Sequence, residues 1–199
     1  MINQKIRRYW DRLMAPVGRM VARSHVNPNV ITIFGVIIQA VGAVEILNGR
    51  LVLAAIATSV AGAADVLDGA VAKARGVTSR FGALLDSTTD RLSDALFFVP
   101  VAWLYGVGPD KPGREMHWVA ALALGALVAA FLVSYIKARS EALGYECNVG
   151  IAERAERWIL MVVGLLFDVL PWVTAVLAAV SLVTVVQRLL YVRRQAIDD

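Results

Sequence analysis

Long apolar segments alternate with short polar breaks along most of the chain. Six such segments lie at about 30–47, 51–73, 81–107, 117–140, 154–170 and 172–192. Each is close to the ~20 apolar residues that a helix needs to cross the hydrocarbon core of a bilayer. The breaks contain glycine, proline or polar residues, and Pro171 makes the last of them a tight turn. We therefore predict an all-α integral membrane protein in which six transmembrane helices form one domain over residues 25–199.

Residues 1–24 differ from these segments because apolar and basic side chains recur there at helical spacing. The basic residues are Lys5, Arg7, Arg8, Arg12, Arg19 and Arg23. The pattern predicts an amphipathic helix that lies in the membrane interface, with its cationic groups at the lipid headgroups. A secretory signal is the alternative, but the basic part is too long and no convincing small-residue cleavage site follows. The next helix is expected to start at Asn27-Pro28-Asn29, because proline is tolerated in a first helical turn.

Basic residues are distributed unequally between the two ends of the predicted helices. With both termini in the cytoplasm, the outer loops contain three of the chain's 20 Lys and Arg residues, namely Arg50, Lys111 and Arg114. Such an excess on one side follows the positive-inside rule. We therefore expect a multi-pass protein of the cell (plasma) membrane with both termini in the cytoplasm.

Composition agrees with the membrane assignment and excludes several classes of site. Hydrophobic residues make up 58% of the 199 residues and charged residues 18%, whereas a soluble domain has ~45–50% and ~25%. The single cysteine, Cys147, excludes an internal disulfide and a multi-cysteine metal site. His25 and His117 are too far apart in sequence to suggest a zinc site. The basic residues behind the net charge of +4 are scattered between apolar segments, so we expect no nucleic-acid partner.

Acidic residues occur inside two of the apolar segments. Asp65 and Asp68, three positions apart, share one helix face, and Asp86 and Asp90, four positions apart, share a face of the next helix. The short link at 75–80 makes these helices antiparallel neighbours, so the four carboxylates are expected to converge near the cytoplasmic face. Charge inside an apolar segment costs at least ~2.5–3.5 kcal/mol per residue and usually marks a functional site.

Converging carboxylates repel one another unless a cation lies between them. Oxygen ligands suit hard divalent ions, so we expect Mg²⁺, with Mn²⁺ as an alternative, bound together with substrate phosphates. Two such ions can stabilise the attacking and leaving oxygens of a phosphoryl transfer. A cation or proton transporter is another hypothesis, but it predicts acidic residues spread through the membrane depth. A non-catalytic protein whose helices pair through small residues is a third, and carboxylates serve such pairing poorly.

Small and cationic residues accompany the carboxylates. Gly69 and Gly82 lie one residue after and four residues before an aspartate. A glycine inside a helix costs ~1 kcal/mol relative to alanine, which makes sense where a ligand approaches the backbone closely. Close helix packing is the alternative reason for each glycine. The cations Lys73, Arg75 and Arg80 lie on the same connection and can neutralise a diphosphate.

The combined string is far more specific than any of its parts. It reads Asp65-Val-Leu-Asp68-Gly69-Ala-Val-Ala72-Lys73, eight further residues, Gly82, three residues, Asp86, three residues and Asp90. It resembles the signature of the CDP-alcohol phosphotransferase family, D-x-x-D-G-x-x-A-R followed by eight residues and G-x-x-x-D-x-x-x-D. The departure is Lys73, which stands where the family has arginine, so that the charge is kept but the bidentate fork is lost.

This resemblance implies an enzyme that displaces CMP from CDP-diacylglycerol with an alcohol acceptor and a divalent metal. It implies that Asp65, Asp68, Asp86 and Asp90 hold a two-metal site and that Asp90 is also the general base. The residues implied to contact the CDP-lipid are Asn29, Val30, Ile31, Thr32, Gly69, Ala72, Lys73, Ser79 and Gly82. It further implies a homodimer and an active site that faces the cytoplasm.

A second group of cationic residues lies on the same predicted side of the membrane. A similar group is found in the branch of the family whose acceptor is a phosphorylated polyol, which this chain therefore resembles. The acceptor implied is inositol phosphate, and glycerol 3-phosphate is the alternative. The residues implied to bind the acceptor phosphate are Ser134, Lys137, Arg154 and Arg194. The alternative is that these side chains only meet lipid headgroups. Asp94, one turn beyond Asp90, is expected to support Arg91 or the metal shell from outside.

Overall fold

The computed structural model describes residues 27–76, 79–107, 116–151 and 154–198, which form six α-helices and no strand. The helices are α1 (Pro28–Leu47), α2 (Leu51–Arg75), α3 (Arg80–Gly106), α4 (His117–Ala142), α5 (Arg154–Leu166) and α6 (Leu170–Asp198). The all-α prediction is therefore confirmed for this part of the chain. The interfacial helix predicted over residues 1–24 lies outside the described residues.

The first helix begins at the predicted position. The Asn27 side-chain oxygen accepts a hydrogen bond from the Asn29 N–H at 3.0 Å, as an N-cap residue does. Pro28 follows in the first turn, where no backbone N–H is needed. The Asn-Pro pair therefore favours a helix start, because Asn27 supplies an acceptor for one backbone N–H of the first turn and Pro28 has no N–H that needs one.

The boundary between the last two helices differs from the prediction. The expected fifth segment, 154–170, ends four residues earlier at Leu166, and α6 begins at Leu170 with Pro171 inside its first turn. Asp168 adopts a left-handed backbone conformation with φ 53°, which ends α5 before the proline is reached. Pro171 therefore lies at the start of a helix and is not the break itself.

Four of the described helices are long and apolar enough to cross a membrane, and the sequence had predicted six. They are Pro28–Leu47, Leu51–Arg75, His117–Ala142 and Leu170–Ile197. The helix α3 has 27 residues, but its first half carries several charges. The helix α5 has 13 residues, about 20 Å at 1.5 Å per residue, which is shorter than the ~30 Å hydrocarbon core.

Small residues lie inside the fold and large apolar residues lie outside. Ala54, Ala55 and Ala123 are fully buried, whereas Ile37 and Leu182 are more than half exposed. Small side chains at helix contacts let the backbones approach closely, and lipid covers the large apolar ones outside. This distribution is that of a membrane protein.

The chain divides into two compact units, the first of which contains the residues of the acidic string. The first unit comprises the described residues up to Val41 together with Ala57–Ser93. Here Gly35 allows α1 to approach α2, since a Cβ atom at this position would lie 3.3 Å from the Ala64 Cβ. A small core beside this contact consists of Ile31, Ala64, Leu67 and Val71.

The second unit comprises Gly42–Ile56 and the described residues from Asp94 onward. Its core is larger and contains Phe97 and Phe98, whose rings pack edge to face with centroids 5.3 Å apart. The last turn is tight because a Cβ atom at Gly164 would lie 3.2 Å from both Leu170 and Val173. Most of the described apolar burial therefore lies in this unit.

Candidate active site

Three of the predicted carboxylates come together in the first unit. Asp65 and Asp68 lie in the second half of α2, and Asp86 lies in the second turn of α3. Each offers one oxygen atom, and these three atoms lie within 4.8 Å of one another. Asp68 is buried, Asp65 is half-buried and Asp86 is exposed. This three-carboxylate group is therefore reachable from outside through Asp86.

The three-carboxylate group fits a hard divalent cation. Mg²⁺ holds oxygen ligands at about 2.0–2.1 Å, so ligands on opposite sides of the ion are about 4.2 Å apart. The upper limit of 4.8 Å between the three oxygen atoms is close to that value. Like charges at this separation repel, and a bound cation relieves the repulsion. Carboxylates of α2 and α3 therefore come close enough to hold a metal together, and their role as metal ligands stays a prediction.

A residue of α1 orients one of the carboxylates. The Thr32 hydroxyl donates a hydrogen bond to the Asp68 carboxylate and lies 3.2 Å from the Pro28 carbonyl oxygen. Both Thr32 and Asp68 are buried. A hydrogen bond of this kind fixes the direction of a ligating group. The sequence assigned Thr32 to the CDP-lipid and gave no sign of this contact, because the two residues are 36 positions apart.

Asp90 lies outside the three-carboxylate group. Its carboxylate is 3.5 Å from the Arg91 guanidinium, and its side chain is 19% exposed. Arg91 also donates a hydrogen bond to the Ser87 carbonyl oxygen. The metal-ligand and general-base roles of Asp90 therefore stay predictions.

Asp94 has a partner that the sequence did not predict. Its carboxylate accepts a hydrogen bond from Arg157 at 2.8 Å, in an ion pair whose side chains are 11% and 6% exposed. The sequence predicted that Asp94 would support Arg91 or the metal shell. The observed partner is 63 residues away on α5, and no local spacing rule connects positions so far apart.

The two signature glycines have different surroundings. A Cβ atom at Gly69 would meet no other described atom within 4 Å, whereas a Cβ atom at Gly82 would lie 3.1 Å from the Ser79 hydroxyl oxygen and 3.5 Å from the Asn29 side-chain oxygen. Ser79 caps α3 by accepting a hydrogen bond from the Gly82 N–H at 2.9 Å. Gly82 therefore has a packing role at the start of α3, while Gly69 leaves open space directly after Asp68.

The other residues implied to contact the CDP-lipid differ in accessibility. Val30 and Lys73 are exposed, and Asn29 and Ala72 are half-buried. The Ile31 side chain is 9% exposed and belongs to the small core of the first unit. A ligand can therefore reach Ile31 through its backbone rather than its side chain.

The residues implied to bind the acceptor phosphate all belong to the second unit. Ser134 and Lys137 lie on α4, Arg154 begins α5 and Arg194 lies near the end of α6. Lys137 forms an ion pair with a glutamate one turn away, at 3.8 Å.

Two other arginines of the second unit, Arg157 and Arg188, are buried. The sequence pattern gave no sign of their burial.

The chain is similar to known proteins over nearly its whole length. The sequence model of a family described as CDP-alcohol phosphatidyltransferase matches residues 25–187. A phosphatidylinositol phosphate synthase from Mycolicibacterium smegmatis is 37% identical over 192 residues, which cover 92% of this chain and 84% of the relative.

Two solved structures of one enzyme have a similar fold. The phosphatidylinositol phosphate synthase of Mycobacterium tuberculosis with CDP-DAG (CDP-diacylglycerol) bound has a TM-score of 0.80 and 34% identity, covering 91% of this chain and 94% of that one. The same enzyme in complex with manganese and citrate has a TM-score of 0.77 and 34% identity, covering 90% and 88%. Manganese belongs to the class of divalent ions that carboxylate oxygens bind well.

Proposed function

The chain belongs to the family of CDP-alcohol phosphatidyltransferases, and from this premise we propose that it transfers the phosphatidyl group of CDP-diacylglycerol to inositol phosphate. CMP is the second product. The observation that carries the proposal is the three-carboxylate group of Asp65, Asp68 and Asp86, with open space at Gly69. The choice of acceptor is supported by the relatives, which are named phosphatidylinositol phosphate synthase.

The reaction exchanges one oxygen for another at phosphorus. The acceptor hydroxyl oxygen attacks the phosphorus next to diacylglycerol, the bond from that phosphorus to the bridging diphosphate oxygen breaks, and CMP leaves with the electron pair. Asp90 accepts the proton of the acceptor hydroxyl as general base. Asp65, Asp68 and Asp86 hold the divalent metal, and Asp90 is proposed as a further ligand. When bound, the metal stabilises negative charge on the phosphate oxygens.

The start of α3 and the end of α2 are proposed to bind the CDP part of the donor. The side-chain oxygens of Asn29 and Ser79 lie against Gly82, so residues from α1 and α3 meet at one place. Lys73 and Arg80 are exposed and supply positive charge for the diphosphate. This support is independent of the metal, because it involves cations and hydrogen-bonding groups rather than carboxylates.

The acceptor phosphate is proposed to bind Ser134, Lys137, Arg154 and Arg194. A hydroxyl with three cations suits a phosphate dianion, because charge-assisted hydrogen bonds are stronger than neutral ones. The same set suits glycerol 3-phosphate, which is the second candidate acceptor. Basic residues do not discriminate between these acceptors, so an acceptor panel is the direct test.

A radiolabelled acceptor panel tests the proposed reaction. Purified protein with Mg²⁺ and CDP-diacylglycerol receives inositol phosphate, inositol, glycerol 3-phosphate or serine. We expect lipid product and CMP from inositol phosphate, and loss of both in the Asp90→Asn variant. Asp168→Asn is the matched control, because this exposed aspartate lies in the turn between α5 and α6. Product from glycerol 3-phosphate alone would overturn the acceptor, and absence of CMP with every acceptor would overturn the reaction class.

We also propose that α3 and α5 cross the membrane, which gives six spans over residues 25–199 with the termini and the active site in the cytoplasm. The charge distribution supports it, since Arg50, Lys111 and Arg114 are the basic residues left on the outer side. A homodimer is proposed from the family resemblance.

Cysteine labelling tests the topology. The native Cys147 is buried, so it contributes little background. A cysteine at Asn48, in the exposed turn after α1, should react with a membrane-impermeant maleimide in intact cells. A cysteine at the exposed Arg193 should react only after permeabilisation. The reverse pattern would contradict the proposed orientation.

A further inference from the structure

The ion pair between Asp94 and Arg157 joins α3 to α5 one helical turn beyond the proposed general base. A guanidinium nitrogen lies 2.8 Å from a carboxylate oxygen, and the two side chains are only 6% and 11% exposed. Asp90 precedes Asp94 by four positions, so both carboxylates lie on the same face of α3. The direction of the Asp90 side chain therefore depends on how α3 is held at Asp94.

The ion pair continues the buried faces of both helices. On α5, Met161 and Leu165 follow Arg157 at intervals of four residues, so the three buried side chains share one face. On α3, Phe97 and Phe98 lie within one turn beyond the aspartate and are fully buried. These four apolar residues belong to the large core of the second unit. The pair thus adds a charged contact at the end of an apolar core.

A proline weakens α3 shortly after the ion pair. Pro100 is buried inside the helix, and a proline there removes the backbone hydrogen bond to the carbonyl oxygen four residues earlier. The part of α3 that carries Asp86 and Asp90 comes before this point, so the last turns of the helix hold its direction less firmly. The ion pair lies on the same side of Pro100 as these two aspartates and can restrain them.

A buried ion pair at this place fixes an orientation more than it adds stability. Replacing such a pair by apolar residues of similar volume is often neutral or stabilising, because taking two charges out of water costs about as much as their attraction returns. A guanidinium and a carboxylate, however, bond in a narrow range of distances and angles. Apolar side chains set no such limit. The pair therefore restricts the rotation of α3 about its axis.

We propose that Asp94 and Arg157 are positioning residues for Asp90. By holding the rotation of α3, they direct the Asp90 carboxylate toward the acceptor hydroxyl whose proton it accepts. The inference rests on the proposed function, in which Asp90 is the general base. Catalytic groups must be held within about 0.5 Å of the productive geometry, and a misplacement of about 1 Å can cost about a hundredfold in rate. Loss of the pair should therefore affect the chemical step and not substrate binding.

The double variant Asp94→Leu, Arg157→Met tests the proposal, because it removes both charges of the pair together. The matched control is Glu45→Gln, Arg50→Gln, which removes the ion pair at 3.7 Å beside the turn between α1 and α2. On full-length protein with Mg²⁺ we measure the rate of CMP formation in a single turnover, which reports the chemical step. KM for both substrates and the free energy of unfolding are measured on the same samples.

We expect the Asp94→Leu, Arg157→Met variant to form CMP about tenfold to a hundredfold more slowly than the wild type. Both KM values should stay within about twofold, the free energy of unfolding should stay close to that of the wild type, and the control should keep the wild-type rate. A wild-type rate in the double variant would overturn the proposal. A higher KM for inositol phosphate at an unchanged rate would overturn it too, because the pair would then act on acceptor binding.

A change of length gives a second measurement in variants that keep the ion pair. Glutamate extends the carboxylate by one methylene group, and lysine is one bond shorter than arginine. We expect Asp94→Glu alone to slow the single-turnover rate about tenfold. Adding Arg157→Lys restores the overall length of the pair and should return the rate to within about threefold of the wild type. A wild-type rate in Asp94→Glu, or no recovery on adding Arg157→Lys, would contradict the positioning role.

The proposed function and this inference fail in different ways. Absence of CMP from the wild type with every acceptor removes the reaction, and an active Asp90→Asn variant removes the general base. When the wild type is active and Asp90→Asn is inactive, a wild-type rate in the Asp94→Leu, Arg157→Met variant overturns the positioning role alone.

Discussion

The two units of the molecule use buried charge in opposite ways. In the first, Asp65, Asp68 and Asp86 bring charges of one sign within 4.8 Å of one another. In the second, Arg157 pairs with a carboxylate and Arg188 with backbone carbonyl oxygens. Like charges held together favour a cation from outside, whereas opposite groups satisfy each other within the protein. The buried or clustered carboxylates of the first unit are thus suited to a cation, whereas the two buried arginines of the second unit are paired with groups of the protein itself.

The largest effect should come from the like-charged group. Asp86→Asn should lower kcat/KM about a thousandfold, since loss of metal stabilisation worth about 4 kcal/mol corresponds to three powers of ten. Asp86 is exposed, so thermal unfolding should change little. CMP release is the measurement. EDTA should abolish it in the wild type, and excess Mg²⁺ or Mn²⁺ should restore it. A variant with more than a tenth of wild-type activity would contradict the role of Asp86.

Breaking the paired charges should affect stability before activity. Arg157→Met leaves the Asp94 carboxylate buried without this ion-pair partner, and such a loss destabilises a protein by about 3–5 kcal/mol. Denaturant titration in detergent measures the free energy of unfolding. The double variant Asp94→Leu, Arg157→Met should recover most of the lost free energy of unfolding, because both charges of the ion pair are then removed together. A single variant as stable as the wild type would contradict the structural role of the pair.

Gly69 and Gly82 are expected to serve different purposes, Gly69 by leaving room for the donor and Gly82 by allowing close packing. Gly69→Ala should lower kcat/KM about a hundredfold by narrowing the donor site, while stability holds or rises, because alanine is favoured over glycine in a helix by about 1 kcal/mol. Gly82→Ala should lower the melting temperature, since its Cβ would lie 3.1 Å from the Ser79 hydroxyl oxygen. CMP release and thermal unfolding of both variants are measured together. An active Gly69→Ala enzyme would show that the open space is not used.

The smallest effect is expected at the residue that orients Asp68. Thr32→Val keeps the shape of the side chain but removes the hydroxyl that donates to Asp68. Loss of such a supporting contact lowers metal affinity or activity about tenfold to a hundredfold, and we expect the lower value. The concentration of Mg²⁺ that gives half-maximal activity is the measurement, and Thr32→Ser should stay close to the wild type. An unchanged metal requirement in Thr32→Val would contradict the orienting role.

Local spacing predicted the parts of the site that depend on helical periodicity and a short connection. Asp65 and Asp68 share a helix face by their spacing alone, and the short link to α3 brings Asp86 beside them. The start of α1 followed from the chemistry of Asn27-Pro28. The family resemblance assigned the reaction class, which the spacing alone left open.

Contacts between distant positions could not be predicted in this way. The pairing of Asp94 with Arg157 and the hydrogen bond from Thr32 to Asp68 depend on tertiary packing. The early end of α5 depends on the left-handed backbone of Asp168, a residue type that adopts this conformation only in some contexts. Hydropathy alone gave no sign that α5 has only 13 residues, so the number of spans stays a prediction beyond the four long apolar helices.

The hydrogen bond from Thr32 to Asp68 has a consequence for biogenesis. The chain is synthesised from its N-terminus, so α1 and α2 leave the ribosome before α3 exists. Moving the Asp68 carboxylate into the hydrocarbon layer at that stage would cost free energy. The Thr32 hydroxyl on α1 has then already been synthesised and can donate a hydrogen bond to it. The helical hairpin formed by α1 and α2, joined at Gly35 and Ala64, can therefore insert with its most enclosed acid already solvated by protein. The translocon then receives α1 and α2 as a packed pair of helices, rather than α2 alone with an unpaired carboxylate.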